Sequence, residues 1–204
     1  QRNRLSSNLN EIGRAYIGAM QQEVYRWLDQ IPVAEPIGVL FSGGIDSGAV
    51  FLAVYDALLK RGESPGRLKA FTLSLHEKGQ DAAQAHEFLS ALDLGLFLEV
   101  IDVPAAAVDY REAIRVIEDY KPLDVQSAAM SLALCREIRK RYPEWIYLAD
   151  GDGGDEGGAP LRAAGLSCKV LHGSSVGFRW VRGQSAHCRR NYEDRRFARI
   201  ERAG

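Results

Sequence analysis

Ile37-Gly38-Val39-Leu40-Phe41-Ser42-Gly43-Gly44-Ile45-Asp46-Ser47 is the stretch on which the reading of this chain turns. Its first five residues form an apolar run that reads as a buried strand, and Ser47-Gly48-Ala49-Val50-Phe51-Leu52 opens a helical pattern. A strand feeding a glycine-rich turn and then a helix N-terminus gathers unpaired backbone N–H groups and the positive end of the helix dipole at one point. Gly43 and Gly44 let the backbone approach an anion closely. The hydroxyls of Ser42 and Ser47 add donors, and Asp46 adds a carboxylate suited to holding magnesium on phosphates. Five specified positions at about 7 % each amount to roughly 10⁻⁶ per starting point, too small for chance in a chain of this size. No G-x-x-x-x-G-K-[ST] is present, so γ-phosphate transfer is not the expected chemistry.

A second loop of the same kind lies downstream. Glu144-Trp145-Ile146-Tyr147-Leu148-Ala149 reads as another buried strand and runs into Asp150-Gly151-Asp152-Gly153-Gly154-Asp155-Glu156. Four acids interleaved with glycine suit metal or pyrophosphate binding better than a proton relay. Asp46 and Asp155, at the carboxyl ends of two parallel strands, are placed to share a magnesium ion bridging phosphates. A calcium loop is the bland alternative, but the spacing is not that of an EF-hand and its distal Glu is missing.

The two motifs together resemble the N-type ATP pyrophosphatases, which cleave ATP between its α- and β-phosphates. Ser42-Gly43-Gly44-Ile45-Asp46-Ser47 is similar to the pyrophosphate loop of that superfamily, and Asp150 to Glu156 resembles the asparagine synthetase signature S-G-E-G-[AS]-D-E. Gly151, Gly153, Asp155 and Glu156 match; Asp150 stands where the family has Ser, and Asp152 where it has a Glu implicated in catalysis. Phe71-Thr72-Leu73-Ser74-Leu75 resembles the family's second strand, F-[ST]-[IL], whose backbone lies against the adenine. The resemblance spans roughly residues 33–158. It implies ATP and Mg2+ as cofactors. The nucleotide would be held by Leu40, Phe41, Ser42, Gly43, Gly44, Ile45, Asp46, Ser47, Thr72, Leu73, Gly151 and Gly153. The metal would be held by Asp46 and Asp155, and Asp152 and Asp155 would be catalytic.

The reaction so implied is that of an ATP-dependent ligase. A small-molecule carboxylate forms an acyl-adenylate, and ammonia or another amine then displaces AMP to leave an amide. In asparagine synthetase a glutaminase domain with an N-terminal Cys supplies the ammonia; this chain has no Cys before Cys135, so that domain or subunit lies elsewhere or free amine is used. β-Lactam synthetases, which share the synthetase domain, offer an intramolecular variant. Two other classes compete: a tRNA-modifying enzyme with the same first loop, and a catalytically inactive ATP-binding module. The acidic core, the unpaired cysteines and the second motif speak against the first, and the replacement by Asp152 speaks for the second. Carboxylate-, tRNA- or nothing-dependent pyrophosphate release separates the three.

Composition fits one α/β domain in a reducing compartment, read as cytoplasmic. The 204 residues are 46 % hydrophobic, enough for one sizeable core, and the net charge of −1 makes no case for nucleic acid. No run reaches membrane-spanning length, no signal segment is visible, and Cys135, Cys168 and Cys188 are too few and too widely spaced for a disulfide framework. The chain starts at Gln1 rather than Met, as an excerpt or processed product would. An assembly of identical chains is left open.

Strands and helices alternate: helix from Ser7 to Ile31, strand 37–41, helix 47–61, strand 68–75, helix 79–93, strand 96–102, helix from Pro104 to about Tyr120, helix from Ser127 to Tyr142, strand 144–149. This predicts a doubly wound, mainly parallel sheet of about five strands with helices on both faces, adenine nucleotide alpha hydrolase-like. Residues 1–158 hold 16 Lys/Arg against 24 Asp/Glu, whereas residues 159–204 hold 10 against 3 and lose periodicity. The expected division is therefore a synthetase domain over 1–158 and a basic segment over 159–204, truncated, altered or simply solvated.

Other residues carry blander readings. Cys168, His172, His187 and Cys188 lack the paired spacing of a zinc site. His76 follows the second strand and reads as a surface histidine, and His86 and Glu87 sit on a helix at no catalytic spacing. Trp27, Tyr110 and Tyr120 read as core or surface aromatics, and Cys135 as a small core residue.

Overall fold

The computed structural model describes residues 8–75, 80–151, 167–172 and 177–181. Its sheet is built from β1 (Ile37–Leu40), β2 (Leu68–Ser74), β3 (Leu98–Asp102), β4 (Tyr147–Asp150), β5 (Ser167–His172) and β6 (Gly177–Val181), in the order β3-β2-β1-β4-β5-β6. β1 pairs in parallel with both β2 and β4, and β2 in parallel with β3. β5 and β6 continue the sheet antiparallel. β1 is buried throughout, as an unbroken apolar run at the centre of a parallel sheet requires.

Among the described residues five α-helices cover the sheet: α1 (Leu9–Leu28), α2 (Ile45–Lys60), α3 (Gln80–Ser90), α4 (Tyr110–Ile117) and α5 (Pro122–Arg141). Strand alternation assigns the two cores. Ile37, Val39, Phe41, Leu68, Ala70 and Ala149 point to one face, where they pack with α1, α2 and α3. Leu40, Phe71, Ile101 and Leu148 point to the other, against Ala133, Leu134, Cys135 and Ile138 of α5, with α4 packed on α5 in turn. Helices thus lie on both faces of a parallel four-strand core, the doubly wound arrangement the alternation predicts. Gly38 is the one residue of β1 that admits no side chain: a Cβ there would stand 2.4 Å from Leu148 Cδ2 and 2.8 Å from Phe71 Cε2. Phe71 fills that space and meets Trp145 edge-on at 5.2 Å between centroids.

Local chemistry sets the helix ends. The Asn8 side chain accepts from the Asn10 N–H at 3.0 Å to start α1, and Asp109 accepts from the Glu112 N–H at 3.0 Å to start α4. α5 begins at Pro122, five residues before the predicted Ser127, because proline is well suited to a first turn that needs no N–H bond. β4 is shifted the other way. It starts at Tyr147, not Glu144, leaving Trp145 free to turn into the core, and it ends at Asp150, which belongs to the strand rather than the loop. β5 and β6 lie in the basic segment, where the sequence shows no strand periodicity; pairing with the open edge of β4 organises them.

Candidate functional site

Beyond β1 the chain turns over itself and enters α2 within four residues. The Phe41 N–H still donates to Phe71 O at 2.8 Å, so the turn starts from a fixed strand end. Ser42 and Ser47 then tie the loop together. The Ser47 hydroxyl donates to Gly44 O at 3.2 Å and accepts from the Ser42 N–H at 3.3 Å, while Ser42 Oγ, 3.2 Å from Ser47 Oγ, accepts from the Gly44 N–H at 3.3 Å. Gly44 is the N-cap of α2 and brings no side-chain cap, so the first turn of the helix presents its N–H groups outward with Asp46 beside them.

Gly43 is where the loop has no latitude. Its φ of +79° is left-handed, and a Cβ there would stand 2.5 Å from the backbone nitrogen of Ala85 on α3. The Gln84 side-chain amide donates to Gly43 O at 3.1 Å, and the Phe88 ring lies 2.6 Å from where a Gly48 Cβ would be and packs edge-on with Phe41 at 5.6 Å. The first loop is therefore backed by one face of α3.

The entry to the second loop, Asp150-Gly151, reaches the same place from β4. Asp150 pairs in register with Leu40 on one side and Ser167 on the other, is 3 % exposed, and ends the strand. At Gly151 a Cβ would stand 2.7 Å from the Ser47 nitrogen, so the chain leaving β4 presses on the first turn of α2. The first loop and the first two residues of the second motif, a hundred residues apart, thus meet at the carboxyl ends of adjacent parallel strands, where open α/β sheets bind ligands.

Between the loops, the sheet and α5 lies a cleft of about 300 Å³. Its lining is apolar at Leu40, Leu73, Met130 and Leu134 and polar at Ser42, Gly44, Asp46 and Ser47, with Ser127 and Ser131 contributed by α5. Among the described residues the lining holds three carboxylates, Asp46, Asp81 and Asp150, and no Lys, Arg or His. An anion there would be met by backbone N–H groups, hydroxyls and a counter-cation. The donor set fits such a cation: magnesium takes one or two carboxylates and completes its shell from phosphate and water. No group of three His, Cys, Asp or Glu gathers closely enough among the described residues to hold a metal unaided. Space for a phosphate fits too, since the bare α2 terminus and the side-chain-free Gly44 face the cleft.

Of the residues expected to bind nucleotide, Leu40, Phe41, Ser42, Gly44, Asp46, Ser47, Leu73 and Gly151 line this cleft. Gly43 stands behind it, bonded to α3. Ile45 opens α2 and is 83 % exposed. The Thr72 side chain does not reach the cleft; it is buried and donates to Phe41 O, joining β1 and β2 at their carboxyl ends. Asp152, Gly153 and Asp155 lie outside the described residues, as do His76, His187 and Cys188. Cys168 and His172 fall on β5, and Cys135 is a buried core residue. Sequence reasoning missed α5 and α3 as walls. The signal was present: Ser127, Met130, Ser131 and Leu134 share i, i+3, i+4, i+7 spacing, and so do Asp81, Gln84, Ala85 and Phe88.

Residues 29–199 match the family model described as asparagine synthase. No curated protein matches the chain.

Proposed function

The chain belongs to the asparagine synthase family, whose members are ATP-dependent amide-forming ligases, and on that premise we propose that it adenylates a small carboxylate and passes the acyl group to ammonia or an amine. The observation that carries this reading is that the first glycine loop and the start of the second motif, Asp150-Gly151, line one cleft, with Gly151 seated on the first turn of α2. A base needs apolar surface and a polyphosphate needs N–H donors, and the cleft is lined both by Leu40, Leu73, Met130 and Leu134 and by residues of the Ser42–Ser47 loop.

In the proposed reaction a carboxylate oxygen attacks the α-phosphorus of ATP, and the bond to the bridging oxygen breaks as pyrophosphate leaves with its electron pair. The amine then attacks the acyl carbon and AMP leaves. Adenylation is needed because a free carboxylate does not react with ammonia. The chain contributes position and charge neutralisation. The α2 N–H groups and the Ser42 and Ser47 hydroxyls hold the departing pyrophosphate. Asp46 and Asp155 are the residues proposed to hold magnesium, which when bound spreads the charge developing on the phosphates. Asp152, standing for the family's Glu, is proposed to act at the acyl centre together with Asp155. With this goes a proposed division into a synthetase domain over 1–158 and a basic segment over 159–204 whose β5 and β6 continue the same sheet, and an amine supplied free or by a glutaminase domain or subunit. Action in the cytoplasm is part of the proposal; separately, no helix among the described residues is long and apolar enough to cross a membrane.

A substrate screen tests the proposal. With magnesium, ATP and ammonium, pyrophosphate release is measured against a panel of amino and dicarboxylic acids, aspartate first. The reading expects at least one acid to stimulate release and to be recovered as its amide. Stimulation by tRNA alone, or by no carboxylate at all, contradicts it.

A further inference from the structure

The face of α3 that backs the first loop does more than fill space. Asp81, Gln84, Ala85 and Phe88 fall on one helical stripe, and three of them act on the loop in different ways. The Ala85 backbone occupies the volume a Gly43 side chain would need, and Phe88 occupies that of Gly48. Gln84 alone makes a directed bond, from its amide to Gly43 O at 3.1 Å across 41 positions of sequence.

That bond falls on the peptide that joins the two glycines of the loop. Gly43–Gly44 joins two glycines, so no side chain of its own opposes a half-turn of its plane, and what fixes the plane is the packing and bonding around it. In a trans peptide the carbonyl and the next N–H point in opposite directions. With Gly43 O held toward α3, the Gly44 N–H faces Ser42 Oγ and the interior of the loop. Flipped, the same peptide would aim its carbonyl oxygen at the anion. We infer that Gln84 is a positioning residue that selects the anion-accepting orientation of the Gly43–Gly44 peptide. The inference rests on the proposal that this loop receives pyrophosphate, and concerns what keeps it ready to do so.

One neutral hydrogen bond contributes about 0.5–1.5 kcal/mol, so its loss releases the flipped state and weakens binding by about 3- to 10-fold. The effect is confined to ligands that carry the pyrophosphate. Gln84 is exposed and makes no core contact, so its replacement leaves the fold intact.

The test compares wild type, Gln84→Leu and Gln84→Lys by calorimetry with pyrophosphate, ATP and AMP in magnesium buffer, with thermal melts alongside. Gln84→Leu is expected to lose about 3- to 10-fold for pyrophosphate and ATP while AMP affinity and melting temperature stay at wild-type values. Gln84→Lys, which keeps a donor, is expected to hold wild-type affinity or better. Unchanged pyrophosphate affinity in Gln84→Leu overturns the inference, as does a parallel loss for AMP, which would mark a general packing role. Equal weakening in Gln84→Lys also overturns it, since shape and not donation would then matter. If AMP binds to wild type and pyrophosphate does not, the pyrophosphate reading of the loop fails and the clamp fails with it.

Discussion

Gly43→Ala gives the sharpest expectation in the molecule, because two separate physical terms meet at one atom. An L-residue at the φ of +79° found there costs about 1–2 kcal/mol. The new Cβ would also lie 2.5 Å from Ala85 N, 2.7 Å from Gln84 C and 2.8 Å from Ala85 Cα, all backbone of α3. Backbone does not rotate aside, so α3 or the loop must shift, and overpacking of that kind costs about 1–3 kcal/mol. The sum is about 2–5 kcal/mol. At about 2–4 °C per kcal/mol for a domain of this size, melting should fall by about 4–20 °C. A shift of about 1 Å in the loop should further weaken ATP by on the order of 10²-fold. Gly62→Ala is the control: φ is again left-handed, at +69°, but nothing lies within 4 Å of the added Cβ and the site is at the far end of α2. It should lose only the conformational term and bind ATP normally. Melts and calorimetry on the two variants decide the matter. Equal melting shifts, or wild-type ATP affinity in Gly43→Ala, would refute the argument that α3 fixes this loop.

Three further outcomes follow from the same account. Asp46→Ala, at an exposed position in the first turn of α2, should abolish magnesium-dependent ATP binding without moving the melting temperature; unchanged affinity by calorimetry would remove Asp46 from the site. Asp155→Asn keeps size and removes charge, so pyrophosphate release should fall by on the order of 10²-fold, and full activity would leave the second loop a structural role only. Glu99 provides a pH test remote from the cleft. Burial raises its pKa, but hydrogen bonds from Tyr142 Oη at 2.8 Å and Lys69 Nζ at 3.1 Å, with Arg141 at 3.3 Å, outweigh burial and hold it below the usual carboxylate range. A depressed folded-state pKa means stability that is present above the unfolded value of about 4.3 and lost as pH falls through the folded one. Wild type should therefore melt above Glu99→Gln at neutral pH and converge with it in acid; a gap that widens in acid would contradict the assignment.

How far the fold could be read from the sequence depended on how much each segment carried its own signal. The β1 run and the alternation after it were enough for the parallel core, because buried parallel strands are continuous apolar runs and the helices between them are amphipathic. β5 and β6 were not legible: Ser167-Cys168-Lys169-Val170-Leu171-His172 mixes charge with apolar residues, and its strand state comes from the partner edge. Asp150 was read as a loop residue because glycine follows it, whereas the parallel register with Leu40 keeps it in the strand. Within the site, the strand–turn–helix course of the first loop was legible because glycine and serine spacing encodes its backbone, whereas the places of Gly43 behind the cleft and Ile45 in the open were not. The α3 and α5 walls were not weighed, since helical stripes look alike whether they face a core or a cleft. At Thr72 the motif pointed to backbone contact with a base, and the side chain has a separate task that strand alternation gives it: its hydroxyl turns to the opposite face, onto Phe41 O.

The most direct test of the account is the identity of the products of ATP. With magnesium and an activating carboxylate but no amine, the chain should exchange labelled pyrophosphate into ATP, because adenylation reverses when nothing consumes the acyl-adenylate. On adding amine, AMP and pyrophosphate should appear in equal amounts with amide. Formation of ADP and inorganic phosphate instead, with no pyrophosphate exchange, would contradict it.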